Sequence, residues 1–258
     1  MIRGLYTSGW SMRAIQKKMD VITNNMANVN TNGYKKDTVV LESFPSLLTK
    51  RIKDFDGTSA RPRNIGTMEL GNDIGEVFTY YSQGQLSQTG NELDMAIQDS
   101  SNAFFTVAAE DGQGNYTELY TRDGSFTKGS DGTLLTKDGY TVMGVNGPIV
   151  LDSGDFSVRE DGAVIQNDEI VDRLLITEFT DTLSLRKYGS NMVTTVGNAG
   201  TRPFTGTIRQ GFAELSNVNI VKEMVDMITV TRSYEANQKV LQAMDGTLEK
   251  AVNEVGAV

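Results

Sequence analysis

Apolar residues recur every seven positions at both ends of the chain. Near the start, Leu5, Met12, Met19 and Met26 keep that spacing, with Ile15, Ile22 and Val29 three residues behind. Near the end, Ile220, Met227, Tyr234, Leu241, Leu248 and Val255 do the same, with Val230, Met244 and Ala251 offset by three. A period of about 3.5 residues marks the seam of a helix that packs along another helix. Neither helix can bury its stripe on itself. The spacing therefore predicts long terminal helices that pair as a coiled coil, with each other or with the same helices of neighbouring subunits, and the two stripes are the expected assembly interface. The first helix is expected to be capped near Thr7 or Ser8 and to stop by Asn28–Gly33, within a stretch dense in turn formers where Asn32-Gly33 favours a positive-φ turn. The last is expected from Asn217 or Asn219 onward. A frayed point or bend is expected at Asp245-Gly246, because an interior glycine costs about 1 kcal/mol relative to alanine.

Between the stripes the pattern changes. Ala103–Ala109, Leu119–Arg122, Tyr140–Val145, Ala163–Gln166 and Leu174–Phe179 read as short strands. Asp-Gly pairs at 111–112, 123–124, 131–132, 138–139 and 161–162, with Asn146-Gly147, punctuate them. Such dipeptides between short strands indicate tight hairpins in an antiparallel all-β body. Over 42–75, Pro45, Gly57, Pro62, Gly66 and Gly71 interrupt any regular period, so this stretch reads as a connector. The expected class is α+β. Residues 1–35 and 211–258 form the helical assembly part, 36–77 the connector and 78–210 the central β domain.

Composition narrows the chemistry. The 258 residues include no Cys and no His, which removes disulfides, thiolate metal sites, Cys nucleophiles, the commonest general base and the commonest transition-metal ligand. No enzyme and no cofactor are expected. The Asp-Gly turns lack the spacing of a calcium loop, and Gly71-Asn72-Asp73-Ile74-Gly75 lacks the ending of a phosphate loop. Asp94, Asp99, Asp123 and Asp138 are the carboxylates a glycosidase pair would need, but they read as turn and surface residues. Tyr6 and Trp10 read as packing residues. Met12, Met19, Met26, Met224, Met227 and Met244 suit an adaptable interface. Lys50-Arg51-Ile52-Lys53 and Arg61-Pro62-Arg63 read as solvated loop charges.

The net charge of −9 argues against a nucleic-acid partner. Its distribution is uneven. Residues 1–40 hold six basic against two acidic residues, +4, and residues 216–258 hold four against six, −2. Opposite signs bias the two ends toward each other, although exposed pairs are worth little individually. No run approaches the 18 or so apolar residues of a membrane span. The N-terminus lacks the continuous apolar core of a secretory signal, so departure from the cytoplasm is expected by a route without a cleaved signal.

Several longer motifs carry a resemblance. Ile2-Arg3-Gly4-Leu5-Tyr6-Thr7, then Thr23-Asn24-Asn25-Met26-Ala27-Asn28-Val29-Asn30-Thr31-Asn32-Gly33-Tyr34-Lys35, resembles the N-terminal signature of bacterial flagellar rod and hook proteins. Ser216-Asn217-Val218-Asn219-Ile220-Val221-Lys222-Glu223-Met224-Val225-Asp226-Met227-Ile228, then Arg232-Ser233-Tyr234-Glu235-Ala236-Asn237, resembles their C-terminal signature. Gln83-Gly84-Gln85-Leu86, Thr89-Gly90-Asn91-Glu92-Leu93-Asp94-Met95-Ala96-Ile97 and Tyr120-Thr121-Arg122-Asp123-Gly124-Ser125-Phe126 resemble the central β segments. The likeness spans nearly the whole chain in order. It implies an axial component of the basal body, nearest to the rod proteins and of the distal type. It also implies export unfolded through the flagellar type III apparatus, polymerisation with itself and with neighbouring rod and hook proteins, and ring bushing proteins as further partners. In such a tube the terminal helices line the core, and in a lone monomer they are partly disordered. Two positions depart from the pattern. Ser101-Asn102-Ala103 stands before Phe104-Phe105 where the family often has Gly-x-Gly, and Gly246 falls inside the last helix. The competing readings are a proximal rod or hook subunit, a cell-wall glycan hydrolase, and a secreted adhesin.

Overall fold

The computed structural model describes residues 2–51, 63–110, 116–197 and 199–255. Asp111-Gly112, Gly57, Pro62 and the basic residues Lys53 and Arg61 lie outside the described residues, as does the Val255 side chain. The fold is α+β, with two long terminal helices and antiparallel sheets between them. The chain divides into two compact units. One comprises Met1–Asn24, Asp37–Phe78 and Val221–Val258, and the other Asn25–Lys36 and Thr79–Ile220.

The β unit is built on a nine-stranded sheet. Strand Ala103–Glu110 is central, pairing Tyr116–Thr121 on one edge and both Thr141–Val142 and Ile176–Phe179 along the other. Successive side chains of a strand point to opposite faces, and here both faces are covered. Phe105 and Val107 enter one apolar cluster with Met95, Ile97, Phe126, Leu134 and Ile208. Phe104 enters a second with Tyr120, Phe179, Leu185 and Val193. Each such fully buried side chain contributes about 1.5–3 kcal/mol. Phe156–Val158, Ala163–Gln166 and Glu169–Arg173 form a separate three-stranded sheet, turned at its second hairpin by Asn167 and Asp168 in the left-handed region. The turn before Phe104 needs no glycine. Asp99 takes the positive φ there (67°), and Asn and Asp tolerate that conformation better than most residues.

Beside this turn, Glu178 is fully buried. It accepts hydrogen bonds from Ser100 Oγ (2.7 Å), Arg202 NH2 (2.6 Å) and the Thr205 backbone N–H (3.0 Å). Burial pushes its carboxyl up, but these donors outweigh burial and hold it below the ordinary value of 4.5. A carboxylate with a depressed folded-state pKa stabilises above its unfolded pKa and loses that stabilisation as pH falls through the folded value. The Glu178→Gln variant is therefore expected to be less stable than wild type near neutrality, with the gap closing as pH falls below about 4.5. Thermal unfolding from pH 3 to 7 measures this, and a gap independent of pH would mean that Glu178 acts only by packing.

The helical unit differs from expectation in three places. The first helix, α1, runs Ile2–Ala27, so Thr7 and Ser8 lie inside it rather than at a cap. Thr7 Oγ1 donates instead to the Leu70 carbonyl (2.9 Å), and Ser8 is buried. The last helix, α2, runs Ile220–Lys250 unbroken through Gly246. The irregularity comes later, as a π-helical turn at Ala251–Val255. Finally, the stretch expected as an irregular connector holds two antiparallel ribbons, Asp37–Ser43 with Asn72–Thr79 and Leu47–Arg51 with Arg63–Met68. Among the described residues, Gly66 and Gly75 lie within strands and Gly71 sits beside one. Gly66 lies opposite Thr49, where the register shifts, a bulge position that glycine commonly marks.

Candidate functional site

With no catalytic constellation expected, the surfaces that matter are those the terminal helices present. On α1 the seven-residue stripe is partly shielded. Ile22 is buried, and Leu5, Met12, Ile15, Met19 and Met26, with Val29 just beyond the helix, are half-buried. On α2, Val230 is buried and Met227, Tyr234, Leu241, Met244, Leu248 and Ala251 are half-buried. Ile220, at the helix start, is exposed. The start of α1 approaches α2 near Leu241 and Met244. A Cβ placed on Gly4 would lie 2.5 Å from Met244 Cε, and Leu241 lines a groove with Leu5, Tyr6, Gly9, Trp10 and Arg13.

Periodicity of seven did not reveal two further faces. The first is on α1, where Ala14 and Val21 are buried beside Ser8. Ser11 Oγ donates to Asn72 Oδ1 (3.3 Å) and Trp10 packs edge-on to Phe44 at 5.2 Å, so the ribbon segment covers this side. Small and polar residues there hid it from a search for apolar repeats. The second is on α2, where Val221, Met224, Val225 and Ile228 are 45–66% exposed. With the half-buried stripe on its other side, this half of α2 presents apolar residues on two faces, interspersed with Lys222, Glu223, Asp226 and Arg232. The ribbon Leu47–Arg51 with Arg63–Met68 likewise exposes Leu47, Leu48, Ile65 and Met68. Two-stranded ribbons are marginally stable alone in water.

Within the β unit, the segments next to the helices are joined by a buried clasp. Glu214 accepts from Lys35 Nζ at 2.6 Å through Oε1 and from Arg122 Nε at 2.8 Å through Oε2. All three side chains are at most 4% exposed. The remaining donors are used as well. Arg122 NH1 bonds the Ser100 and Ala103 carbonyls, Lys35 Nζ the Ser82 carbonyl, and the Gly84 N–H the Glu214 carboxylate. Burial lowers the Lys35 ammonium to about 8, with the Glu214 charge partly opposing it. Burial likewise lowers Arg122 against the pull of Glu214.

Backbone geometry holds the same junction. The Gly33 N–H bonds the Glu214 carbonyl at 2.8 Å. Gly33 has φ +69° and would place a Cβ 2.4 Å from the Asp123 nitrogen, so neither its conformation nor its space admits a side chain. Asn217 accepts from the Lys36 N–H (2.7 Å) and donates to the Tyr80 and Ser82 carbonyls. Lys187 stacks over Tyr34 at 4.0 Å. The charges were legible as residues but not as a cluster. The available signal was a charged residue embedded in apolar or turn-forming motifs, as in Gly33-Tyr34-Lys35 and Phe212-Ala213-Glu214-Leu215.

The four candidate glycosidase carboxylates serve their own turns. Asp94 accepts from Asn91, and Asp123 accepts from the Ser125 N–H and from Asn191. Asp99 supplies the turn described above and Asp138 sits in a hairpin turn.

Three family profiles match. The flagella basal body rod protein profile covers residues 5–35, the flagellar hook protein FlgE/F/G D1 domain 96–166, and the flagellar basal body rod FlgEFG protein C-terminal 209–254. Among individual proteins, the flagellar basal-body rod protein FlgG of Bacillus subtilis is 34% identical over 278 residues, covering 98% of this chain and 99% of its own. The chain belongs to the flagellar basal-body rod family. The rod protein FlgF of Caulobacter vibrioides (32%) and the hook-basal body complex protein FlhO of Bacillus subtilis (30%) each align over 100% of both chains. Membership makes this rod protein a structural subunit of the basal body rather than an enzyme. The three profiles also bracket the clasp, with Lys35 closing the first, Arg122 inside the second and Glu214 near the start of the third.

Proposed function

We propose that the chain polymerises through its terminal helices into a rigid tubular rod that transmits torque, packing against copies of itself and against neighbouring rod and hook proteins. The observation that carries this reading is the apolar surface a single chain leaves open, Val221, Met224, Val225 and Ile228 on α2 together with Leu47, Leu48, Ile65 and Met68 on the ribbon. Solvent does not favour such faces, and burial returns about 25 cal/mol per Å² of apolar area. In the assembled state α1 and α2 complete a coiled-coil core along Leu5, Met12, Ile15, Met19, Ile22, Met26, Val29, Ile220, Met227, Val230, Tyr234, Leu241, Met244, Leu248, Ala251 and Val255. The terminal segments are the assembly part, the β unit a separately cored module, and residues 37–78 the part that reaches between subunits. The chain reaches the basal body without a cleaved signal, through the flagellar export apparatus, and ring bushing proteins surround it there. A hydrolase has no support from the turn-bound carboxylates.

A strain lacking this chain is expected to be non-motile, with basal bodies that stop short of the hook in electron micrographs. The full chain supplied in trans restores both. In purified protein, hydrogen exchange at Met19 and Leu241 slows on polymerisation, while the β unit is protected throughout. Complete rods in the deletion strain would refute the reading.

A further inference from the structure

The clasp joins residues far apart along the chain, and it does so in a fixed order. Lys35 and Arg122 come first, and Glu214, the carboxylate partner of both, lies 179 and 92 residues later. The segment carrying it also closes the β unit in other ways. Thr207–Gln210 pairs with Met95–Gln98 and brings Ile208 into the main core cluster. Phe212–Glu214 pairs with Leu86–Gln88. The Leu215 carbonyl occupies the space a Cβ on Gly84 would need, 1.9 Å away. Asn217 then ties Lys36, Tyr80 and Ser82 together. Before this segment arrives, burying Arg122 and Lys35 would leave two cations without their counter-charge in a dry site, which desolvation strongly disfavours. The late arrival itself is cheap, since closing a longer loop adds cost only logarithmically.

We propose that Glu214 is a folding latch: the β unit does not lock until residues 212–218 are in place, so a chain delivered from its N-terminus stays open until all but its last helix has emerged. The latch makes the first 211 residues insufficient by themselves, which keeps early-emerging segments extended. It couples the two helix-flanking segments in a single step rather than letting the central strands set first. The use of such a latch rests on the exported rod-subunit reading, whereas its existence is a property of the purified chain.

Refolding of the full-length chain with pulsed hydrogen exchange tests it. In wild type, amides of Ala103–Glu110, Tyr116–Thr121 and Phe212–Glu214 are expected to gain protection in one phase. Glu214→Gln slows that phase by about tenfold or more, as for a contact already formed in the transition state. The triple variant Lys35→Met, Arg122→Met, Glu214→Leu removes the buried charges together and recovers the rate to within about threefold, since apolar replacement of a whole buried ion network is often neutral. Protection of 103–121 in an earlier phase than 212–214 would overturn the latch. So would a Glu214→Gln variant that folds at the wild-type rate and only unfolds faster, or a triple variant as slow as Glu214→Gln. None of these results bears on whether the chain builds rods, which the deletion strain decides separately.

Discussion

Glu214→Gln is expected to destabilise the β unit by about 3–5 kcal/mol, the typical cost of removing one partner from a buried ion pair. For a unit of this size that lowers the melting temperature by on the order of 10 °C. Glutamine keeps the shape and can still accept from Gly84 or Arg122, so packing is nearly unchanged. What disappears is the single negative charge between Lys35 and Arg122, both almost fully buried. Two like charges then face each other in a dry site, and Lys35, already lowered to about 8 by its burial, is expected to lose its proton more readily. Calorimetry on the purified chain measures the shift. A change under about 2 °C would mean that water reaches the cations and that the clasp is electrostatically idle.

The double variant Leu241→Asp, Leu248→Asp is expected to abolish rod completion and motility while leaving the melting of the β unit within about 1 °C of wild type, because neither leucine belongs to that unit or to its two apolar clusters. Both leucines are half-buried on the shielded face of α2, and Leu241 faces Leu5, Tyr6 and Trp10. A carboxylate there is tolerable in a monomer, where the face is still wet. It costs several kcal/mol once neighbouring subunits seal the seam, and that penalty recurs at every subunit of the polymer. Motility assays and electron microscopy of basal bodies give the readout. Normal flagella from this variant would remove the seam from the assembly interface.

Much of the architecture was legible because it is local. A seven-residue apolar period needs only a dozen neighbouring residues to declare a helix, and both helices are present, with most stripe residues half-buried. The Asp-Gly pairs at 131–132, 138–139 and 161–162 turn hairpins for a similar reason, since positive φ is cheap for glycine. Gly132, Gly139 and Gly162 all adopt it, whereas Gly124 takes no positive φ and joins strands that do not pair. At the start of α1, a tertiary contact overrode a local preference. Thr7 and Ser8 have the chemistry of caps, but Leu70 offers Thr7 a carbonyl. Gly246 has the propensity of a break, but the helix passes through it. The prolines and glycines of 42–75 suggested irregular chain, although ribbons accommodate such residues at bulges and strand ends. The boundary expected at 78–210 left out Lys35 and Glu214, which belong to the β unit through contacts that cross most of the chain.

By itself the sequence determined the α+β class, the two helical ends, the turn-punctuated strands between them and membership in the rod family. Each of these is written in spacing, turn chemistry or ordered motifs, and so survives without knowledge of what touches what. Only the tertiary structure decided that the ribbon segment covers a second face of α1, that α2 begins with an apolar face left open, and that one buried carboxylate answers cations 92 and 179 residues away. These depend on which distant segments are brought together and on the desolvation that follows. A lysine, an arginine and a glutamate read alike in sequence whether they end in water or in a dry clasp.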